Sequence, residues 1–208
     1  VANNNNHVGV PLTILSTNEK HNVLVAELGT NHFGEIPYTS AIVSPDLAII
    51  TNIGDSHLKY LKNRKGVFTE KVALLNETTN RGGKVFINND DTILKEFGKS
   101  VKNKITFAIN EKADYKVSIK GYDKLARPQI EIKSKKNVFS TTLPISGEKN
   151  VLNFTAAYAI ARELGLTDSQ IQKAVKKIKS YNKRLEIKNL KKFTLINDTY
   201  NANPDSMK

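Results

Sequence analysis

Two short apolar runs that stop abruptly constrain this chain more than any other feature. Val23-Leu-Val-Ala26 ends in Glu27-Leu-Gly-Thr-Asn-His-Phe-Gly-Glu35, and Leu47-Ala-Ile-Ile50 ends in Thr51-Asn-Ile-Gly-Asp-Ser-His57. Runs of this length, rich in β-branched residues and flanked by Gly and Asn, predict buried strands of a parallel sheet. In open α/β sheets the ligand site lies beyond the carboxyl ends of such strands. Each of these two ends delivers side chains with oxygen or nitrogen donors to that edge, so the expected site is one for a metal or a phosphate.

The rest of the pattern supports an α/β fold. Residues 36–43 and 66–75 have helical spacing, and Gly82-Gly83 turns the chain into a third strand, Lys84-Val-Phe-Ile87. A short helix over 92–97 and a strand over 104–108 continue the βαβ alternation. From residue 115 to 143 the period changes to two, as in Gln129-Ile-Glu-Ile-Lys133, which predicts antiparallel strands in a small side sheet. Helices are expected over 150–164, with Gly165 as its C-cap, and from Thr167 or Asp168 onward. Strand-like pieces at 185–187 and 193–196 close the pattern. Residues up to Leu15 read as a polar loop closing on a short apolar segment. The predicted architecture is a mostly parallel sheet with helices on both faces plus the antiparallel side sheet.

Composition excludes several chemistries. The 208 residues contain no cysteine, so thiolate metal sites, disulfides and cysteine nucleophiles are ruled out, and a reducing cytoplasm is the expected location. No apolar run approaches the roughly 20 residues of a membrane helix. The net charge of +12 comes mainly from scattered lysines, without Trp and with little Arg. That pattern favours a solvated basic surface over a nucleic-acid footprint.

Several residues carry candidate chemistry. Glu27 at a strand end is costly to bury without a partner, and His57 follows the next strand end. The two suit a divalent cation that keeps several waters, as magnesium does. Lys71 lies inside a helix, where a solvated lysine is the ordinary reading. Asn150 and Asn153 stand three apart at a helix start, so their amides either read a base edge or cap the helix. Arg184 before a strand offers a fork to phosphate, and Asp198 after one offers an acceptor to ribose hydroxyls. A Gly-x-x-x-x-Gly-Lys-Ser/Thr phosphate loop is absent from the sequence.

Together these stretches resemble the Mur ligases, the ATP-dependent amide ligases of peptidoglycan precursor synthesis. Asn3-Asn-Asn-Asn-His-Val-Gly-Val-Pro-Leu-Thr13 is similar to the family's Asn-x-Asn-Asn-x-x-Gly-x-Pro segment. Glu27 to Glu35 resembles Glu-x-Gly-x-Asn-x-x-Gly-Glu, and Thr51 to Leu58 resembles Thr-Asn-x-x-x-x-His-Leu. Ser146-Gly-Glu-Lys-Asn-Val-Leu-Asn153 with Ala156-Ala157 resembles Gly-x-His-Asn-x-x-Asn-x-x-Ala-Ala, with Lys149 in place of His. Asp198-Thr-Tyr-Asn-Ala-Asn-Pro-Asp-Ser-Met207 resembles the member that joins D-alanyl-D-alanine to UDP-N-acetylmuramoyl-tripeptide, with Asn197 where an acidic residue is common.

The resemblance implies a P-loop-NTPase-like central domain over residues 1–196, lacking its phosphate loop, and the start of a C-terminal ligase domain over 197–208. It implies that Glu27, His57 and Lys71 hold Mg2+ at the γ-phosphate of ATP, with Lys71 carbamylated by carbon dioxide. It assigns Asn153 to adenine, Arg184 to the phosphates and Asp198 to ribose, with Asn150 among the nucleotide-binding residues, and Asn3, Asn5 and Asn6 to the nucleotide-linked substrate. A monomer without nucleic acid or membrane insertion is expected, and a fragment of this extent is expected to be inactive alone. Two other readings remain: a folylpolyglutamate synthase-like ligase, and a non-catalytic nucleotide-binding module.

Overall fold

The computed structural model describes residues 4–179 and 186–199, which fall into two compact units, Val1–Lys104 and Ile105–Lys208. In the first unit the elements are α1 (Gly9–Leu15), α2 (Glu35–Val43), β1 (Leu47–Ile50), α3 (Leu58–Leu61), α4 (Arg64–Asn80), β2 (Lys84–Asn88) and α5 (Thr92–Gly98). β1 and β2 pair in parallel, with Leu47 opposite Lys84 and Ile50 opposite Ile87. The connection between them runs through α4, as a parallel crossover requires. Ala48 and Ile50 of β1, Val85 and Ile87 of β2, Val67 and Leu75 of α4, and Leu94 of α5 form one buried cluster. Phe86 is fully buried although it alternates away from Val85 and Ile87, so both faces of β2 are covered.

The start and end of α4 follow from local chemistry. Asn63 is its N-cap and accepts the Gly66 N–H at 2.9 Å. A Cβ on Gly66 would collide with the Leu61 carbonyl oxygen, so only glycine fits there. At the other end Gly82, with φ +80°, takes the left-handed conformation that stops the helix, and the Gly83 N–H bonds back to the Thr78 carbonyl at 2.8 Å.

In the second unit β3 (Lys104–Ala108) pairs in parallel with β4 (Tyr115–Tyr122), through Phe107 opposite Tyr115 and Ala108 opposite Lys116. β4, β5 (Pro128–Lys133) and β6 (Val138–Thr142) then pair antiparallel. The antiparallel strands therefore extend directly from a parallel pair: β4 is parallel on one edge and antiparallel on the other. Along β5, Pro128, Ile130 and Ile132 are buried in alternation, and Ile130 and Ile132 join Val151, Phe154 and Tyr158 of α6 (Glu148–Glu163) in one buried cluster. Those helix positions recur at three and four residues, one face of an α-helix. α7 (Asp168–Val175) starts with a capping box between Thr167 and Gln170. A hairpin of β7 (Glu186–Asn189) and β8 (Thr194–Asn197) follows. Among the described residues no helix is long and apolar enough to cross a membrane.

Two expectations need correction. Residues 9–15 form α1 and not a loop; Pro11 sits in its first turn, where a missing N–H costs nothing. Residues 23–26 form no strand: Val23, Leu24 and Val25 are 53%, 41% and 87% exposed. A parallel strand needs ladder partners, and among the described residues β1 pairs only with β2. Truncating Leu75, which is fully buried, to alanine is expected to cost about 2–5 kcal/mol. A shift in the denaturant midpoint of the first unit measures it, and a loss well under that range would contradict the packing described.

Candidate functional site

The carboxyl end of β1 is tied to the carboxyl end of β2. The Asn88 side-chain amide donates to the Thr51 carbonyl at 2.8 Å, and Asp91 accepts the Ile53 N–H at 2.6 Å. With its other oxygen Asp91 caps α5, accepting the Ile93 and Leu94 N–H groups, both at 3.0 Å. Asp55 holds the Arg64 guanidinium through two bonds, of 3.0 and 2.7 Å. His57 follows as the N-cap of α3 with φ 56°, a left-handed backbone that a non-glycine residue adopts only when its surroundings impose it. Its side chain is exposed.

The loop carrying Glu27 is fixed by two other carboxylates. Glu35 accepts the Asn31 and His32 N–H groups at 2.6 and 3.1 Å. The Asn31 bond is the main cause of a Glu35 pKa below the usual carboxylate range. Glu70, from α4, accepts the Gly34 N–H at 2.8 Å and the Ile36 N–H at 2.7 Å. Glu27 itself is exposed in an irregular segment and does not end a strand. Nearby, the Gly29 N–H bonds the Asn5 carbonyl at 2.7 Å, and a Cβ on Gly29 would reach within 2.7 Å of the Asn5 side-chain nitrogen. The structure thus brings Asn5 against the Glu27 segment. Asn6 caps the entry to α1 through the Val8 and Gly9 N–H groups, at 3.1 and 2.8 Å.

Lys71 is half-buried in α4, and burial pushes its ammonium pKa down while the charge of Asp91 pulls it back up. Glu27, His57 and Lys71 all lie in the first unit. Among the described residues no three His, Asp or Glu side chains form a group able to hold a metal. One carboxylate and one imidazole do fit a cation of the magnesium kind, which takes few protein ligands and completes its shell with water and phosphate oxygens. Lys71 as an ammonium cannot join that set, whereas its carbamate can.

In the second unit Asn150 donates its side-chain amide to the Ser146 carbonyl at 2.7 Å; this is not a cap, and the N-cap of α6, Gly147, has no side-chain cap bond. Asn153 is exposed on α6, and Asp198 is exposed just after β8. Arg184 and Asn3 lie outside the described residues. A cavity of about 360 Å³ in this unit is lined by Arg127, Thr141, Leu143, Gln172 and Lys176, none of them a predicted site residue.

Glu70, Asn88 and Asp91 organise the strand-end loops, yet sequence reasoning passed over them as site residues. Asp91 carried a signal, because an Asp just before a helix is a favoured N-cap. Glu70 carried none, since a glutamate inside a helix reads as solvated.

Residues 1–161 match the Mur ligase middle domain, and the chain belongs to that family. A UDP-N-acetylmuramoyl-tripeptide-D-alanyl-D-alanine ligase of Bacillus subtilis is 33% identical over 207 residues, 99% of this chain and 44% of that protein. A crystal structure of MurF from Acinetobacter baumannii is similar over 100% of this chain and 45% of its own, with 33% identity and a TM-score of 0.90. MurF from Thermotoga maritima, solved in complex with ADP, is 24% identical over 96% of this chain and 46% of its own, with a TM-score of 0.83, a likeness of fold alone. The chain spans slightly less than half the length of these relatives. This likeness over the full chain shows the predicted α/β fold to be that of the family's central domain.

The lowered pKa of Lys71 has a testable sign. The folded chain disfavours the ammonium, so this group reduces stability below its folded pKa, and the penalty fades as pH rises toward the unfolded value. Lys71→Met is expected to raise the melting temperature near about pH 7, with a gain that shrinks toward about pH 10. A gain independent of pH would contradict the burial described for Lys71.

Proposed function

We propose that this chain is the ATP-binding central part of an enzyme that joins D-alanyl-D-alanine to UDP-N-acetylmuramoyl-tripeptide. The observation that carries the reading is 33% identity to a ligase of that name across 99% of the chain. Residues 1–196 form the central domain in this reading, and 197–208 begin the next one. The enzyme acts as a cytoplasmic monomer, and the +12 charge serves its anionic substrates.

In the reaction, the terminal carboxylate of the nucleotide-linked peptide attacks the γ-phosphorus of ATP, and the bond to ADP breaks. The resulting acyl phosphate is attacked by the amine of D-alanyl-D-alanine. The amide forms, phosphate leaves, and the amine gives up a proton. Such transfers depend on positioning and on stabilising charge. Glu27, His57 and carbamylated Lys71 would hold Mg2+, which supplies charge neutralisation at the transferred phosphoryl group. Asn153 would face adenine, Arg184 the phosphates, and Asp198 the ribose, with Asn150 among the nucleotide-binding residues. Asn150 already donates one amide hydrogen to Ser146, which leaves its side-chain oxygen and the second N–H to offer. Asn3, Asn5 and Asn6 would line the approach of the UDP-linked substrate. The place of Asn5 against Gly29, two residues after Glu27, supports this.

Phosphate release by the full-length gene product tests the reading. With ATP, magnesium and UDP-N-acetylmuramoyl-tripeptide, release is expected only when D-alanyl-D-alanine is added. Release with glutamate and a folate instead would support the folylpolyglutamate synthase-like reading, and none with any acceptor would support a non-catalytic module. Lys71→Ala is expected to lower the turnover of the full-length enzyme by about 10²–10³-fold, and the 208-residue chain alone is expected to release none. Full turnover by Lys71→Ala would remove this lysine from the site.

A further inference from the structure

We propose that Glu70 is a positioning residue for this reaction: its buried carboxylate locks the loop that carries Glu27 onto the helix that carries Lys71. The inference rests on the reading of Glu27, His57 and Lys71 as the residues that hold the cation.

Among the described residues Glu70 is the only charged side chain in the buried set, at 2% exposure. A buried carboxylate is tolerated only where donors replace its water, and here the donors come from one stretch, the loop after Glu27 and the first turn of α2. Oε2 accepts the Gly34 N–H at 2.8 Å; Oε1 accepts the Ile36 N–H at 2.7 Å and the Thr30 hydroxyl at 3.4 Å. The single Thr30 O–H is shared: its shorter bond is to the His32 carbonyl at 2.9 Å and its longer, weaker branch goes to Glu70, and Thr30 is itself buried. These contacts bracket the Gly-Thr-Asn-His-Phe-Gly turn that follows Glu27.

The same bonds do the work of a cap. The N-cap of α2 is Gly34, with φ 93° and no side chain to accept the first N–H groups. Glu70 accepts them from a different helix and places a negative charge at the positive end of α2. Packing alone would be met by an apolar residue of similar size. A carboxylate adds directionality, because both oxygens are committed to named N–H groups. Glu70 is bonded through the backbone to Lys71, so a loop displaced from Glu70 is displaced from Lys71 as well. Glu70 thereby ties to α4 a loop that Glu35 and the Gly29–Asn5 bond hold at other points. Substitutions in the outer contacts of a metal site weaken the metal without touching it.

Glu70→Gln in the full-length gene product tests this. The substitution keeps the shape but turns an NH2 toward one of the two backbone N–H groups. Mn2+ affinity is measured at equilibrium by electron paramagnetic resonance of the free ion, with a non-hydrolysable ATP analogue present. The expected result is binding weakened about tenfold to a hundredfold, with an unchanged KM for D-alanyl-D-alanine. A folded Glu70→Gln variant with wild-type Mn2+ affinity and only a lower melting temperature would reduce Glu70 to a structural role and overturn the proposal. Should Glu70→Gln fail to fold, Thr30→Val removes only the hydroxyl donor; weaker Mn2+ binding supports the proposal and unchanged binding overturns it. Glu27→Gln, measured in parallel, separates the two layers. If it too leaves Mn2+ affinity unchanged, the cation-site reading itself fails; if it weakens binding while Glu70→Gln does not, only the positioning role fails.

Discussion

Three carboxylates, Asp91, Glu70 and Glu35, accept the backbone N–H groups that the strand-end and helix-start turns of the first unit would otherwise leave unpaired. A loop that runs past the end of a strand has no ladder to satisfy it, and a helix start adds orphan donors. In this chain the two problems are solved together. Asp91 holds both the turn after β1 and the start of α5, while Glu70 holds both the turn after Glu27 and the start of α2. Glu70 is carried by α4, which packs in the core, and Asp91 stands at the start of α5 just beyond β2, so these two loops are tied to packed elements. Charge-assisted bonds of this kind are shorter and stronger than neutral ones; the bonds from Ile53, Gly34 and Ile36, at 2.6 to 2.8 Å, agree with that, while the two that cap α5 are 3.0 Å.

That arrangement gives the candidate site its character. Glu27 and His57 are exposed, whereas Glu70 is buried and Asp91 and Glu35 are half-buried. Lys71 stands between the two conditions, half-buried on a helix, with Asp91 as the charge acting on it. A carbamate there would exchange attraction to Asp91 for repulsion, so a cation is needed for that form to persist.

Much of the fold was legible because its periods are clean. The alternation along β5 and the three-and-four spacing along α6 each follow from one buried face. Lys104 to Ala108 is a strand, as its β-branched run predicts. The run at 23–26 has the same local signature as β1, but a strand exists only through its partners, which local sequence does not report. α1 was missed because Pro11 and the Asn-rich approach read as loop, although Pro is well placed in a first turn. In the site, the residue types at 27, 57 and 71 were visible as motif positions. What holds them was not, because Glu70 bonds residues 34 and 36 positions away in sequence.

The measurement that most directly tests this account is hydrogen exchange at individual amides in the 208-residue chain. If Glu70 and Asp91 hold the strand-end loops, the Gly34, Ile36 and Ile53 amides exchange as slowly as the neighbouring core amides of α4 and β2. Exchange of these three at the rate of a solvated loop, with the core still protected, would contradict it.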